Sequence, residues 1–205
     1  MTANAETQVR AKVWLKPNQV DRLRTACYEV GATFLQQRNE AIIALLYDSG
    51  LRVGELVALD VDLLRDGNTE LYLPAEIQKD YPNENSPKPV PVGLKPDTAR
   101  LLTSYLTNRW KDSPAVFPSR SSGRITTEGI RQMVRKIAVQ AEIRPYNVDG
   151  SRGGPEDVTP HALRHSVAYR MLSVEDDNEF YDVRKRLRHE RLATTEQVYD
   201  HFDRV

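Results

Sequence analysis

His161 and Arg164 stand three apart in HALRH (161–165). On a helix they share a face. There they could hold the oxygens of a phosphate, arginine as the planar fork and histidine as a donor or proton shuttle. Arg52 lies in GLRVGEL (50–56), at the junction of two helices, with Glu55 three residues on to steady its guanidinium. Lys79, with Lys88 nearby, occupies a Pro- and Asn-rich stretch, where a mobile ammonium could reach a leaving oxygen as a general acid. Tyr199 follows His189 and the pair Thr194 and Thr195 in LRHERLATTEQVY (187–199). Tyrosine is a poor nucleophile until its proton is removed and cations polarise the electrophile, so it needs the arginines. His189 would donate to the same phosphate. Taken singly these features are ordinary: a capped helix start, a surface ion pair, a solvated loop lysine, a terminal tyrosine. Together, in the order Arg52, Lys79, His161, Arg164, His189, Tyr199, they are far less so.

These side chains need a scaffold, and the pattern predicts a mainly helical one. LKPNQVDRLRTACYEVG (15–31) has apolar residues at helical spacing, with Asn18 as N-cap and Gly31 as the stop. A largely buried helix is predicted over 37–50, ending at Gly50, and a short one over 53–60. ELYLP (70–74) alternates like a strand, and KPVPVGL (88–94) is a second extended run. Together they predict a β-hairpin whose long tip is AEIQKDYPNENSP. Helices are predicted again over 97–110 and over 126–142, capped by Thr126 or Thr127. A Gly/Pro-rich loop follows over 143–160. Further helices start near Thr159, cover FYDVRKRLR, and close with TTEQVYDHF.

Bulk properties narrow the options. The 205 residues fit one large domain. The longest apolar run, AIIALLY at 41–47, is far short of the ~20 residues that span a bilayer. The first residues lack the apolar core of a secretory signal. The reading is therefore a cytoplasmic protein with no membrane role. Cys27 is the single cysteine and reads as a buried structural thiol; no spacing typical of a metal site exists, and neither metal nor cofactor is expected. Net charge is zero, mild testimony against a dedicated DNA-binding module. The sum hides placement, because Arg184, Lys185, Arg186, Arg188 and Arg191 crowd into RKRLRHER while the acids gather elsewhere. Those five are candidate DNA contacts, as is Lys88; the alternative is a merely solvated helix face.

At this point the sequence resembles the catalytic domain of the tyrosine recombinases, the phage integrase family. YDSGLRVGEL (47–56) is similar to that family's YxTGLRxxEL block, HALRH to its HxLRH block, and LRHERLATTEQVY to its LGHxxxxTTxxY block. IQKDYPNENSP and the ending VYDHF are similar to integrase-like proteins of haloarchaea. The resemblance covers roughly 15–203. It implies an α+β, mainly α-helical catalytic-domain fold with a small antiparallel sheet. It implies a site-specific recombinase for integration, excision or resolution of a mobile element, virus or plasmid, needing no cofactor and no metal. Arg52 and Arg164 would clamp the scissile phosphate, with Glu55 orienting Arg52. Lys79 would protonate the leaving 5′ oxygen, and His161 would assist proton transfer at the tyrosine. His189 would donate to a phosphate oxygen, and Tyr199 would attack to give a 3′-phosphotyrosyl link. The implied partner is double-stranded DNA, with assembly to dimer and tetramer on it.

Three departures from the family pattern stand out. Arg188 replaces the glycine usual before the last histidine. His189 and Tyr199 are ten apart, one more than in the bacterial members. The long hairpin leaves Lys79 and Lys88 both eligible, and Lys79 is preferred because it follows the first strand more closely. His165 shares a helix with His161 and reads as structural. Residues 1–14 read as a flexible extension and 15–205 as the catalytic domain, with no separate N-terminal clamp domain; an accessory DNA-binding protein could supply one. A type IB topoisomerase or a non-catalytic DNA-binding regulator on the same fold are the rival readings.

Overall fold

A computed structural model of the chain describes residues 13–79, 81–82 and 86–202. Within them lie eight α-helices, a three-stranded antiparallel sheet and a separate two-stranded one. This is the mainly α-helical α+β architecture expected, with little sheet.

Strand β1 (Val13–Trp14) opens the described chain. It pairs antiparallel with β5 (Tyr146–Asn147), Trp14 opposite Tyr146. Trp14 is buried and meets Phe202 edge-on at 4.8 Å between ring centroids. Residues 13 and 14 thus belong to the packed body, two positions earlier than the sequence reading placed its edge; residues 1–12 of the expected extension lie outside the described residues. Helix α1 (Pro17–Ala26) starts with Pro17 at its first position and Lys16 as the cap, in place of Asn18. Proline's missing N–H costs nothing there and its φ is already helical. The helix stops before Cys27, short of the expected Gly31.

Helix α2 (Thr33–Ser49) is the central pillar, with Ile42, Ile43, Leu45 and Leu46 all fully buried. Each such side chain contributes about 1.5–3 kcal/mol of burial. It packs on α1, on α4 (Pro96–Asn108) and on α6 (Pro160–Ser173). Gly50 ends it at φ +63°, and its N–H returns to the Leu46 carbonyl. An added Cβ there would stand 2.5 Å from Leu187 Cδ2, so glycine is required by both the backbone hand and the close approach. The chain turns at once into α3 (Val53–Ala58).

The sheet is a meander of β2 (Leu64–Arg65), β3 (Glu70–Leu73) and β4 (Val90–Gly93). Leu71 and Leu73 point inward while Glu70 and Tyr72 point outward, and Leu71 sits opposite Val92. The hairpin β3–β4 is as expected; β1, β2 and β5, of two residues each, are additions. Helix α5 (Thr127–Gln140) is capped by Thr126, whose Oγ1 accepts from Gly129 N–H at 3.0 Å. Thr159 caps α6 in the same way through the Ala162 N–H.

Helix α6 is buried nearly all round and brings polar groups inside with it. Ser166 Oγ accepts the Leu15 N–H at 2.8 Å, and Arg170 donates to the Tyr47 carbonyl at 2.8 Å. Helices α7 (Phe180–Leu187) and α8 (Leu192–Tyr199) fold back on α6. A second apolar cluster of Trp14, Val167, Val183, Leu187, Tyr199 and Phe202 holds them.

Candidate active site

The corner between α2 and α3 carries Arg52. Glu55, fully buried one turn into α3, reaches back to it twice: Oε2 accepts the Arg52 backbone N–H at 2.7 Å and Oε1 accepts Nη1 at 2.9 Å. The first bond caps the helix; the second fixes the guanidinium. Burial alone would push the Glu55 carboxyl up. The charges of Arg188 and Arg52 and the backbone bond outweigh that, and its pKa falls below the usual carboxylate range.

Arg164 enters from α6, almost wholly buried. Its Nη1 donates to the Gly50 carbonyl and its Nη2 to the Leu187 carbonyl. One guanidinium thus ties the end of α2 to the end of α7, and N–H groups remain over for an anion. Burial, then the charges of Arg52 and Arg188, lower its pKa to about 9, so it is still a cation at neutral pH.

A groove of about 440 Å³ is lined by Arg52, Lys79, Arg131, His161 and Arg164, with Leu51, Val53, Thr159 and Pro160. Four of the six residues expected to do chemistry therefore face one space. A neighbouring cavity of about 490 Å³ is lined by His161, Arg164, His165, His189 and Tyr199 among others. His161 and Arg164 face both, so the two spaces adjoin and all six residues surround them. Lys79 is exposed in the stretch after β3, next to Asp80, which lies outside the described residues with 83–85. Lys88 faces a different hollow, together with Arg184, Lys185, Arg186 and Arg188, with only His189 shared. The geometry favours Lys79 over Lys88 as the lysine near the arginines.

Tyr199 ends α8 with its ring parallel to that of His189, 6.0 Å between centroids. Its hydroxyl lies 3.0 Å from His165 Nδ1. Burial raises the phenol pKa to about 12, against the pull of Arg164 and Arg52. Burial, then the neighbouring charges of His161 and Arg164, lowers His165 to about 2. Both shifts, the phenol up and the imidazole down, oppose passing the tyrosine proton to His165. The contact with His165 holds the phenol in place at the end of α8. His161 sits edge-on to His165 at 4.2 Å and opens to solvent. Loss of hydration, then the charges of Arg164 and Arg52, lower its pKa below the usual imidazole range. His189 is held by Thr195, Nδ1 to Oγ1 2.9 Å, and burial, then Arg164 and Arg52, push it down to about 3.

The basic run divides. Lys185 and Arg191 are exposed, and Arg184 is half-buried with Nη2 donating to the Glu190 carbonyl at 3.1 Å. Arg186 turns inward onto Asp48, at 2.6 Å. Arg188 turns inward onto Glu55, at 2.8 Å. Both candidate DNA contacts are thus paired within the protein, Arg186 from the last turn of α7 and Arg188 from the left-handed position that follows it. His165 and Arg131 are the site residues that sequence reasoning did not place there. HALRH shows His165 one helical turn from His161, a usable signal; Arg131 carried none.

The chain from 13 to 204 matches the phage integrase family. It belongs to that family. Among curated relatives, tyrosine recombinase XerC of Azotobacter vinelandii (strain DJ / ATCC BAA-1303) is 32% identical over 193 residues, covering 91% of this chain and 56% of the relative. Tyrosine recombinase XerD of Oceanobacillus iheyensis is 29% identical over 199 residues, covering 93% and 58%. The chain thus spans little more than half the length of these relatives. Among solved structures, XerA recombinase superposes with TM-score 0.71 at 24% identity, over 94% of this chain and 60% of that one. XerH in a post-cleavage complex with a palindromic difH substrate gives 0.72 at 20% identity, over 98% and 52%. The XerC and XerD relatives bear out the wider family resemblance; the narrower likeness to haloarchaeal proteins finds no counterpart among them. No described helix is long and apolar enough to cross a membrane. Among the described residues no group of three or more His, Cys, Asp or Glu could hold a metal ion.

Proposed function

We propose that this phage integrase family chain is the catalytic part of a site-specific DNA recombinase that cuts and rejoins strands through a 3′-phosphotyrosyl link. The observation that carries it is the meeting of Arg52, Lys79, His161 and Arg164 round one groove that adjoins the cavity of Tyr199. Arg52 and Arg164 take the two non-bridging oxygens and stabilise the charge that grows on them. Tyr199 Oη bonds to phosphorus, the bond from phosphorus to the 5′ oxygen breaks, and Lys79 hands that oxygen a proton. His161 receives the phenol proton and His189 donates to a phosphate oxygen. Attack by a 5′ hydroxyl reverses the sequence on the same or a partner strand, so atoms and bond energy balance without an outside energy source. Support for DNA as the partner comes from XerH and the Tn1549 integrase, whose structures hold DNA.

The same reading has the chain working in the cytoplasm and assembling as dimer and tetramer on DNA. A second DNA-gripping module, on this polypeptide or another, completes the grip. The biological setting is integration, excision or resolution of a mobile element, and an archaeal source rests on the loop IQKDYPNENSP and the ending VYDHF alone. The test is covalent capture on nicked duplexes tiled across the neighbourhood of the coding sequence. A protein–DNA band on a denaturing gel that Tyr199→Phe abolishes supports the proposal. Intact duplex binding with no such band points to a DNA-binding regulator.

A further inference from the structure

Arg188 occupies a left-handed backbone position, φ 55° and ψ 47°, that caps α7. Glycine adopts this conformation freely and arginine does so only at a cost. The side chain offsets that cost with four hydrogen bonds. Nη1 donates to the carbonyls of Ser49 (3.3 Å) and Arg186 (2.9 Å). Nη2 donates to the Gly50 carbonyl (3.2 Å) and to Glu55 Oε2 (2.8 Å). Two of these acceptors are shared with the phosphate clamp: Glu55 also holds Arg52, and the Gly50 carbonyl also holds Arg164. The side chains of Arg188 and Glu55 are 7% and 1% exposed, so water screens their attraction little.

From this geometry, and resting on the proposed cleavage reaction, we infer that Arg188 is a positioning residue of the phosphate clamp, which shares the Glu55 carboxylate so that Arg52 is less tightly held by it and freer to pair with the phosphate. With Arg188 present, one buried carboxylate is divided between two guanidinium groups. Without it, the full negative charge rests on Arg52 and competes with an incoming phosphate oxygen. The same residue fastens the segment that carries His189 and Tyr199 to the corner that carries Arg52. Burial would raise the Glu55 pKa, and the charges of Arg188 and then Arg52, with the backbone bond, together outweigh it.

The test compares the full chain with Arg188→Gly, Arg188→Lys, Glu55→Gln and the double variant Arg188→Gly/Glu55→Gln. Glycine suits the left-handed position, so the backbone turn is kept. At saturating nicked duplex, Arg188→Gly should slow covalent capture at least tenfold while duplex affinity stays within twofold. Arg188→Lys keeps the charge without the fork and should fall between. Adding Glu55→Gln to Arg188→Gly removes the unbalanced charge and should recover at least threefold of the rate. A packing role predicts no such recovery, and its absence would overturn the inference, as would an unchanged rate in Arg188→Gly. A second readout is independent of strand cleavage: inorganic phosphate is titrated while the Arg52 Nε–H resonance is followed by NMR. Phosphate should bind at least threefold more weakly to Arg188→Gly, and Glu55→Gln should reverse this; equal affinity overturns the inference. If the unmodified chain gives no Tyr199-dependent product on any duplex but phosphate binding follows the stated order, the recombinase reading falls and the role of Arg188 stands.

Discussion

Gly50→Ala joins a helix stop to the chemistry of the site, and its cost can be worked out from the structure. The residue sits at φ +63°, where a Cβ adds about 1–2 kcal/mol. That Cβ would also stand 2.5 Å from Leu187 Cδ2, with Val167 methyl groups at 3.8 Å behind it. Leu187 is fully buried and cannot swing clear, so an overpacking cost of about 1–3 kcal/mol follows. The sum is about 2–5 kcal/mol, a large share of the stability of a single domain. Urea unfolding followed by circular dichroism would measure it as a lower midpoint at constant slope. Because Leu187 supplies the strained contact, Gly50→Ala and Leu187→Ala should not add: the double variant should lose at least about 1 kcal/mol less than the sum of the singles. A loss under about 1 kcal/mol in Gly50→Ala, or strict additivity, would refute the packing argument. The substitution should also slow any strand cleavage, since the Gly50 carbonyl anchors Arg164.

Two other outcomes follow from the same structure. His165 and His189 have pKa values depressed from 6.5 to about 2 and about 3, so the stability they contribute is present above pH 6.5 and is lost as pH falls toward those values. Each adds about 1.4 kcal/mol per pH unit to that loss, and His165→Asn, read by urea midpoints from pH 7 to 4, should make the acid slope shallower by about that amount. If Lys185 and Arg191 touch DNA phosphates, alanine at either should reduce the salt slope of duplex binding by about one, whereas a slope unchanged in both variants removes them as phosphate contacts.

The local grammar of the helices was legible in the sequence. Thr126, one of two candidates with Thr127, is the cap of α5, α6 starts beside Thr159, Gly50 is a stop, and α2, α5, α6, α7 and α8 lie within a few residues of their expected bounds. Asn18 was outcompeted by Pro17, because proline at a first position needs no capping side chain for its own nitrogen. The pairing of β1 with β5 was not legible, since two-residue strands more than 130 positions apart leave no periodicity. The chemistry-bearing residues could be named because their types and order are distinctive. Their hydrogen bonds could not. Which cations of RKRLRHER turn inward depends on where α7 meets Asp48 and Glu55, a matter of tertiary packing. The missing glycine at 188 was visible as a departure, but the buried use of the arginine that replaced it was not.

The long-range stitching of the site has a consequence for the chain while it is being made. The bonds that shape it join Arg164 to Gly50, Arg188 to Glu55 and Tyr199 to His165, across 114, 133 and 34 positions. Helices α1 and α4, which pack on α2, are complete in the chain before α6 and before either long-range bond of the clamp can form. Tyr199, the proposed nucleophile, is translated after the arginines and histidines that line its cavity. An interrupted translation product that stops before residue 199 would have arginines to hold a phosphate and nothing with which to cut it.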